Sequence, residues 1–545
     1  MEKLSNEIDW VYYFNDEINR TDLPIEERLI SDRYQLKLNI EEGKIKLPGG
    51  FVQGQKVGLL LSELTLPAHG IENFDDFDIP FRCVAADFET GDPVVLGKGS
   101  LAKAIRASMS IPSVFEPIEI DGRLLIDGGV VRNLPVQEVK EMGADIIIAI
   151  DVTSPLYKKE QLSSFVTVLE QAGSYRLAAS IKDAKALADI FIHPDIDEFG
   201  ALDFDNNDTL MARGEAAARA KLPEILALLA DQRQDSLATR EVAIPESFNI
   251  NNIYVKGTSE ESRQLSDKIA NINSMKGLSI KQVEERIKVL FGSNYIKDAY
   301  YEVLEDETGN YELDIDANLE SGKYVQISAN YDSNLKAAFL FNATYRSRGL
   351  RAARLSADFK LSENPLLLVD YTVHSTTKPA LGLNLNVRLN HYPAFFFDEV
   401  GDIDESFNIN HYSTGINLFG AVTNNSKISG GLGIERYAQR AKLFAGDTKD
   451  LELNQVFLNI GYLRDNQDRE LFPTKGSFLS LDGKFAFAGS LAQPVVDGES
   501  DLEEFNQFVR FQFRKVFPAS PKFAIEWYND AGSVSYTHLT LPTKA

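Results

Sequence analysis

The chain has 545 residues, with 56 Lys and Arg against 81 Asp and Glu, so its formal charge is −25. Such acidity argues against binding to nucleic acid, whose phosphates would repel the chain. A single cysteine, Cys83, excludes an intrachain disulfide, and six histidines far apart in the sequence argue against a Cys/His zinc site. No apolar run reaches the roughly 18 residues of a membrane-spanning helix.

Residues 1–235 alternate short apolar runs with helical patterns. The run from Asp145 to Asp151 is followed by a long helical pattern over 161–188. Apolar runs of this length between turn residues and helices are typical of strands in an α/β sheet that is buried on both faces. The polar stretch 236–246 is predicted to be a linker.

One carboxylate in this region is a candidate catalytic group. A helix over 101–108 is predicted to end before Pro112, and a hairpin around Asp121-Gly122 leads into a strand that ends at Asp127. Gly128 and Gly129 allow a sharp turn there and keep bulk away from the carboxylate. Asp-Gly-Gly alone is more typical of an ordinary turn than of a catalytic site, so the motif gains weight only from its surroundings.

Residues 75–155 resemble the C-terminal half of a patatin-like phospholipase domain. The resemblance rests on motifs in the family's order: Pro80 to Arg82, Ala86 to Gly91, Ala107-Ser108 with Ile111-Pro112, Asp127-Gly128-Gly129 with Asn133 and Pro135, Gly143 to Asp145, and Asp151. It implies an α/β fold and a Ser/Asp dyad that hydrolyses phospholipid or another acyl ester. Asp127 would be the base, supported by Gly128, Gly129 and Asn133, and no metal or other cofactor would be needed.

The chain departs from the family pattern at the nucleophile. No Gly-x-Ser-x-Gly elbow and no glycine-rich oxyanion loop occur in it. Residues 1–36 resemble the region after the elbow, with Trp10 and Arg28 to Tyr34 as the following helix and its exit. We therefore expect the sequence to begin inside the catalytic domain, without a nucleophile serine, and to be inactive as printed.

Residues 247–319 are predicted to form a strand, two helices and two further strands. Leu265, Ile269 and Ile272 keep helical spacing, and Ser279 with Gln282 forms a capping box before the second helix. Thr308-Gly309-Asn310 is predicted to be a hairpin turn. The order resembles a POTRA domain, the small module that precedes outer-membrane barrels, although another small α+β module remains an alternative.

Residues 320–533 lose helical periodicity and alternate with a period of two. Leu381, Leu383 and Leu385 alternate with polar residues, and similar runs recur to residue 513. Such runs are typical of a transmembrane antiparallel β-barrel of about ten strands, incomplete here; a soluble β-sandwich is the alternative. Arg464-Asp465 with Leu471 to Gly476 resembles a motif of Omp85 superfamily surface-antigen barrels. Residues 534–545 are predicted to be a sequencing-adapter artefact.

The whole is predicted to be a multidomain fragment of a patatin-type autotransporter. The resemblance implies a lipid hydrolase in a bacterial outer membrane, contacting membrane lipid and the barrel assembly machinery, with the hydrolase either periplasmic or surface-exposed. A homodimer is compatible with the sequence. The rival hypothesis is an assembly or translocation barrel whose patatin-like half is inactive and binds only lipid or a partner.

Overall fold

The computed structural model describes residues 6–536 apart from 17–18, 22, 32, 48, 154–155, 157–158, 160–170, 172–174, 176–179, 201–203, 231–244, 246, 257–274, 293–295, 333–335, 348–350, 376–379, 398–402, 444–450, 471, 493–505 and 521–522. The linker predicted over 236–246 and most of the helix predicted over 161–188 fall outside this set, as do residues 537–545. Among the described helices, none has the length and apolar character needed to cross a membrane.

The first part of the chain contains short helices and strands. Up to residue 64 these are α1 (Trp10–Tyr13), α2 (Ile25–Ser31), β1 (Leu36–Glu41), β2 (Lys44–Lys46), β3 (Gly50–Val52) and α3 (Gln55–Leu64). After it come β4 (Cys83–Asp87), β5 (Pro93–Leu96), α4 (Leu101–Ser108), β6 (Ser113–Phe115), β7 (Ile118–Ile120), β8 (Arg123–Asp127), α5 (Gly129–Arg132) and α6 (Val136–Glu141). Strand β9 (Ile148–Ile150), β10 (Ile190–Ile192) and α7 (Asn207–Leu229) complete this part.

A four-stranded antiparallel sheet forms the centre of this part. Its order is β5-β4-β8-β7, and α4 packs against it. The predicted helix over 101–108 and the hairpin at Asp121-Gly122 are both present. Phe74, Ala104 and Leu125 are buried between the helix and the sheet because α4 carries small alanines on its inner face.

The sequence predicted strands that are buried on both faces of an α/β sheet, and β9 does not have that burial. Among the described strands of this first part of the chain, parallel pairing is limited to β9 with β10 and β3 with β6. Ile148 and Ile150 are 43% and 55% exposed, whereas the sequence predicted burial on both faces. The isoleucines are exposed because they point to the side of this two-strand pair that no described element covers, while Ala149 between them is buried.

The next module has a mixed four-stranded sheet with order β12-β11-β14-β13. Its elements are β11 (Phe248–Lys256), β12 (Met275–Leu278), α8 (Ile280–Gly292), β13 (Ile296–Glu305) and β14 (Tyr311–Leu319). Ser279 and Gln282 form the predicted capping box, with each side chain accepting a hydrogen bond from the other residue's N–H. Strand β12 was not predicted, and the helix predicted around Leu265 to Ile272 lies outside the described residues.

Helix α3 joins the first part of the chain to this module. Leu59 is buried in the core formed by the module's sheet and α8. The hydroxyl of Ser62 accepts a hydrogen bond from the backbone N–H of Tyr301 at 3.1 Å, and His69 Nδ1 accepts one from Val303 N–H at 3.0 Å. The two parts therefore pack directly against each other through residues of α3 and of the segment that follows it.

The last part is a single antiparallel sheet that begins with two strands from the start of the chain. Strand β1 pairs with β15, and the order then follows the sequence from β15 to β25. Its strands are β15 (Lys323–Asp332), β16 (Lys336–Ser347), β17 (Arg351–Leu361), β18 (Leu366–Ser375), β19 (Ala380–Phe397), β20 (Ile403–Thr423), β21 (Ser426–Leu443), β22 (Leu451–Asp465), β23 (Gly476–Ala492), β24 (Asn506–Ser520) and β25 (Phe523–Tyr536). Eleven strands are therefore described where about ten were predicted, because turns such as Asn424-Asn425 use very few residues.

Burial in this sheet is inverted relative to a water-soluble protein. In β16 the polar side chains Asn342, Thr344 and Arg346 are buried, while Phe341 and Tyr345, on the opposite face of the strand, are exposed. Exposed aliphatic residues recur along the other strands, and buried polar residues face the opposite side. A β-sandwich would bury its apolar face, whereas a barrel in lipid presents that face outward and encloses a polar lumen. The sheet is that of a transmembrane-type barrel.

Candidate active site

Asp127 occupies the last position of β8, where the sequence predicted it. Its backbone N–H donates to the carbonyl oxygen of Ser110 at 2.9 Å. Strand β8 also pairs with β4, with Asp127 opposite Ala85. The carboxylate is therefore held between the end of a strand and the segment that follows α4, which is a rigid position for a catalytic group.

The two glycines after Asp127 are required by close contacts. A Cβ on Gly128 would lie 2.1 Å from the carbonyl oxygen of Val84, so no side chain fits there without moving the backbone of β4. A Cβ on Gly129 would lie 3.1 Å from Asp127 Oδ1 and 2.8 Å from Asn133 Oδ1. The structure thus brings Asp127, Gly128, Gly129 and Asn133 together around one turn.

The electrostatic state of Asp127 is that of a partly desolvated carboxylate. Burial raises its pKa above the ordinary value for aspartate, and the Gly129 N–H, which donates to Oδ1 at 2.7 Å, opposes that rise. Among the described residues no basic side chain forms an ion pair with it. A carboxylate without a neutralising partner is free to accept a proton from a hydroxyl group.

Ser108 and Ser110, the two serines at the end of α4 and just after it, have structural roles. Ser108 donates its hydroxyl hydrogen to the carbonyl of Val84 at 2.8 Å. Ser110 is fully buried and donates to the carbonyl of Arg106 at 2.7 Å. Neither lies on a strand-to-helix elbow, so neither is a candidate nucleophile.

Arg106, in the last turn of α4, has a structural role that was not predicted from the sequence. Its guanidinium is fully buried, lies over the ring of Phe115 at 4.7 Å, and donates to Ser110 Oγ at 2.5 Å and to the carbonyls of Gln53 and Glu116 at 3.2 Å. It therefore ties α4 to β3 and to the segment that supports Asp127. The sequence signal for this role is the spacing: Arg106 lies near the end of the predicted helix, four residues before Ser110.

Asp16 is a second residue that the sequence did not single out. Its carboxylate accepts hydrogen bonds from the backbone N–H groups of Gly54 and Gln55, each at 3.1 Å, at the start of α3. Because 38 residues separate Asp16 from Gly54, no local pattern could have indicated this cap.

The residues predicted to resemble a post-elbow helix are separated in the structure. Trp10 stacks on Phe204 with ring centroids 5.0 Å apart, and Phe14 contacts Phe204 and Phe115. A cavity of about 1220 Å³ is lined by Trp10, Phe14 and Phe204 together with Val52 and Val114. Arg28 and Tyr34 lie elsewhere: Arg28 donates to Asn425 in the turn before β21, and the Tyr34 hydroxyl donates to Asp358 of β17.

Two family models match the chain. The patatin-like phospholipase model matches residues 7–140, which include Asp127 and its glycine turn, and the Omp85 superfamily domain matches residues 319–518. The chain joins a patatin-like phospholipase domain to an Omp85 superfamily domain. The alternative of a lipase fused to an ordinary β-sandwich is therefore wrong.

Two of the curated relatives each match less than a third of this chain. A lysophospholipase of Aspergillus fumigatus is 29% identical over 181 residues, which is 29% of this chain and 12% of that protein. An uncharacterized NTE family protein of Mycobacterium tuberculosis is 39% identical over 99 residues, which is 17% of this chain and 28% of that protein. The chain thus spans about an eighth to a quarter of the length of these relatives.

Two solved structures are each similar to about half of the chain. BamA from Haemophilus ducreyi lacking POTRA domains 1–3 has a TM-score of 0.37 at 15% identity. The match covers 54% of this chain and 56% of the BamA chain. CdiB from Acinetobacter baumannii has a TM-score of 0.29 at 9% identity. The match covers 55% of this chain and 54% of the CdiB chain. Both scores are low, and the description of the barrel rests on its own strand pairing and burial.

Proposed function

We propose that this protein is part of an outer-membrane lipid acyl hydrolase in which Asp127 is the general base of a Ser/Asp dyad. The observation that carries the proposal is the partly buried Asp127 carboxylate, which has a raised pKa and no ion pair among the described residues, inside the patatin-matching region. A serine hydroxyl becomes a good nucleophile only when such a base accepts its proton. The substrate class is phospholipid or another acyl ester of a lipid.

The domain organisation follows from the same reasoning. Residues 1–235 supply the patatin-like part, 247–319 a POTRA-like module, and 320–533 a barrel that anchors the enzyme in the outer membrane. The barrel assembly machinery is the expected insertion partner, and the hydrolase lies on either the periplasmic or the outer side. The alternating burial of β16, with polar residues inside and aromatic residues outside, supports the membrane location.

The proposal requires a serine elbow that the printed sequence does not contain. Because no Gly-x-Ser-x-Gly occurs in it, we expect the printed chain to hydrolyse no ester and to react with no fluorophosphonate probe. A reading frame extended upstream to include an elbow serine is expected to gain both properties. An extended frame without such a motif would favour the rival hypothesis, an assembly or translocation barrel with an inactive lipid-binding or partner-binding domain.

The test of the base uses the extended protein with two matched substitutions. Asp127→Asn is expected to abolish hydrolysis of phospholipid vesicles while leaving the far-UV circular dichroism spectrum unchanged. Asp121→Asn, in the exposed hairpin turn before the same strand, is expected to retain activity because that carboxylate faces solvent. Equal activity in the two variants would show that Asp127 is not the base.

A further inference from the structure

Strands β1 and β2 belong to the patatin-matching region, yet they form one edge of the barrel sheet. Strand β1 pairs antiparallel with β15, and β2 pairs with β1 and ends the sheet on that side. The patatin-like model matches residues 7–140, which include both strands. Residues 36–46 are called the edge hairpin below, and they carry part of the patatin-matching region onto the barrel sheet.

Side-chain contacts fix one end of the edge hairpin. Asn39 Nδ2 donates to Glu320 Oε1 at 2.7 Å, and Ser321 Oγ donates to the carbonyl oxygen of Ile40 at 3.0 Å. Glu320 and Ser321 lie between β14 and β15. This part of the hairpin therefore lies at the end of the barrel sheet that adjoins the module formed by β11 to β14 and α8.

The pairing register places an apolar row of the edge hairpin on the outward face of the sheet. Leu36 lies opposite Ile327, which in turn lies opposite the exposed Phe341 of β16. Residues directly opposite each other share a face of the sheet, so Leu36 lies on the face of Phe341. Ile40, four positions along β1, shares that face and pairs with Ile45 of β2. The apolar outward face thus continues from β16 to β2.

Much of this apolar row is open. Leu36 is 46% exposed, Ile45 is 59% exposed and Leu47, two positions further, is 78% exposed, while Leu38 on the same face is buried. These values match or exceed the 40% of Phe341, which lies on the lipid-facing side of the barrel sheet. Because the row continues that side without a break, the partner that fits it is the hydrocarbon that the barrel sheet itself meets.

Two features place the edge hairpin at the boundary of a membrane. Strand β2 has three residues, with Lys44 and Lys46 on either side of Ile45, and short edge strands with lysines do not favour the addition of another strand. Its unpaired backbone groups need water, so β2 does not fit the centre of a bilayer. Lys323, the first residue of β15, lies opposite Tyr345, and lysine and tyrosine are typical anchors at the membrane–water interface.

We propose that the edge hairpin contacts membrane lipid at this boundary, with Leu36 and Ile45 against the acyl chains. The patatin-matching part of the chain then touches the bilayer directly, in addition to its connection through the module. The inference goes beyond hydrolysis, because it concerns only where this part of the chain meets the membrane and holds whether or not Asp127 is a base.

Quenching by lipid tests the contact. In a Cys83→Ser background, Ile45→Cys carries an NBD fluorophore, and the full chain is reconstituted in phosphatidylcholine vesicles whose acyl chains are brominated close to the headgroup. The label is expected to be quenched several-fold more than the same label on Lys46→Cys, because successive residues of a strand point to opposite faces. Phe341→Cys is the reference for contact with lipid.

Three results would overturn the proposal. The first is strong quenching at Phe341→Cys with no more quenching at Ile45→Cys than at Lys46→Cys. The second is a blue-shifted but unquenched label at Ile45→Cys, which would show that a protein surface covers the face. The third is no quenching at Phe341→Cys, which would place the sheet outside the bilayer. Hydrolysis by the extended protein is measured separately, so failure of either proposal is seen without the other.

Disulfide trapping tests the pairing on which the contact depends. Lys37 lies opposite Gln326, and the Cα atoms of such pairs are about 4.5–5.5 Å apart, within the range that a disulfide spans. In the Cys83→Ser background, Lys37→Cys with Gln326→Cys is expected to cross-link on mild oxidation of the full chain. Lys37→Cys with Ile327→Cys is the matched control, because Ile327 is the next residue on β15 and faces the other side. Equal cross-linking in both pairs would show that β1 does not hold this register and would overturn the proposal.

Discussion

Glu27 and Arg346 are 319 positions apart in the sequence and form a two-pronged ion pair inside the barrel. Removing the carboxylate leaves the buried guanidinium of Arg346 without a counter-charge, while the neighbouring Arg354 keeps only its longer contact with Asp370, at 3.4 Å. Breaking a buried ion pair from one side costs about 3–5 kcal/mol. The pair therefore matters for how firmly the start of the chain is held.

Glu27→Ala is expected to lower the temperature at which the folded barrel loses its heat-modifiable gel migration. Glu26→Ala, a neighbouring substitution on the same helix, is expected to leave that temperature almost unchanged because Glu26 is less buried. The double exchange Glu27→Arg/Arg346→Glu is expected to recover part of the loss. A Glu27→Ala protein that unfolds at the wild-type temperature would mean that the pair contributes nothing to stability.

The outward face of the barrel is expected to reject charge. Ile434 lies near the middle of β21 and is exposed, so in a bilayer it contacts lipid. Ile434→Arg is expected to destabilise the barrel by about 2–4 kcal/mol, measured by urea unfolding in lipid vesicles. Ile434→Leu keeps an apolar side chain and is the control. An arginine as well tolerated as the leucine would place that face in water.

Gly128→Ala is expected to disrupt the turn that presents Asp127. The added methyl group would lie 2.1 Å from a backbone carbonyl, which cannot move without breaking the pairing of β4 with β8. Limited proteolysis of the full chain is expected to show faster cleavage between residues 83 and 141. Gly200→Ala, where nothing lies within 4 Å, is expected to be cleaved at the wild-type rate.

The module formed by β11 to β14 and α8 is expected to lose stability as the pH rises. Burial, together with the charge of Glu63, raises the pKa of Glu284 to about 7, against the opposing effects of Lys288 and of the Tyr301 hydroxyl that donates to it. The folded state therefore binds this proton more tightly than the unfolded state, so stability is highest below about pH 4.5 and falls between pH 4.5 and 7.

Glu284→Gln is expected to remove this pH dependence while keeping an acceptor for Tyr301. Each unit of pKa difference corresponds to about 1.4 kcal/mol, so the variant gains up to a few kcal/mol at pH 8 and almost nothing at pH 4. Circular dichroism at 222 nm during heating of the full chain provides the measurement. Glu285→Gln, on the exposed side of the same helix, is the control. A gain of equal size at both pH values would contradict the assignment.

The elements around Asp127 could be predicted because their determinants are local. Pro112 lies beyond the end of α4, Asp121-Gly122 forms the hairpin turn, and the capping box at Ser279 starts α8 as expected. Ile148 and Ile150 show where the same reasoning was wrong. Their run of apolar residues indicated a strand correctly, but burial depends on which elements cover that strand, and this information is not local.

The alternation of apolar and polar residues from 320 onward determined by itself that the chain forms strands with one apolar face. A side-chain period of two is a property of the extended backbone and needs no tertiary contact. Tertiary structure alone decided which face points inward and which partner Glu27, Arg28 and Asp465 each meet. Those contacts join residues more than 300 positions apart, and they form only when the wall curves around the helix and removes water from the charges.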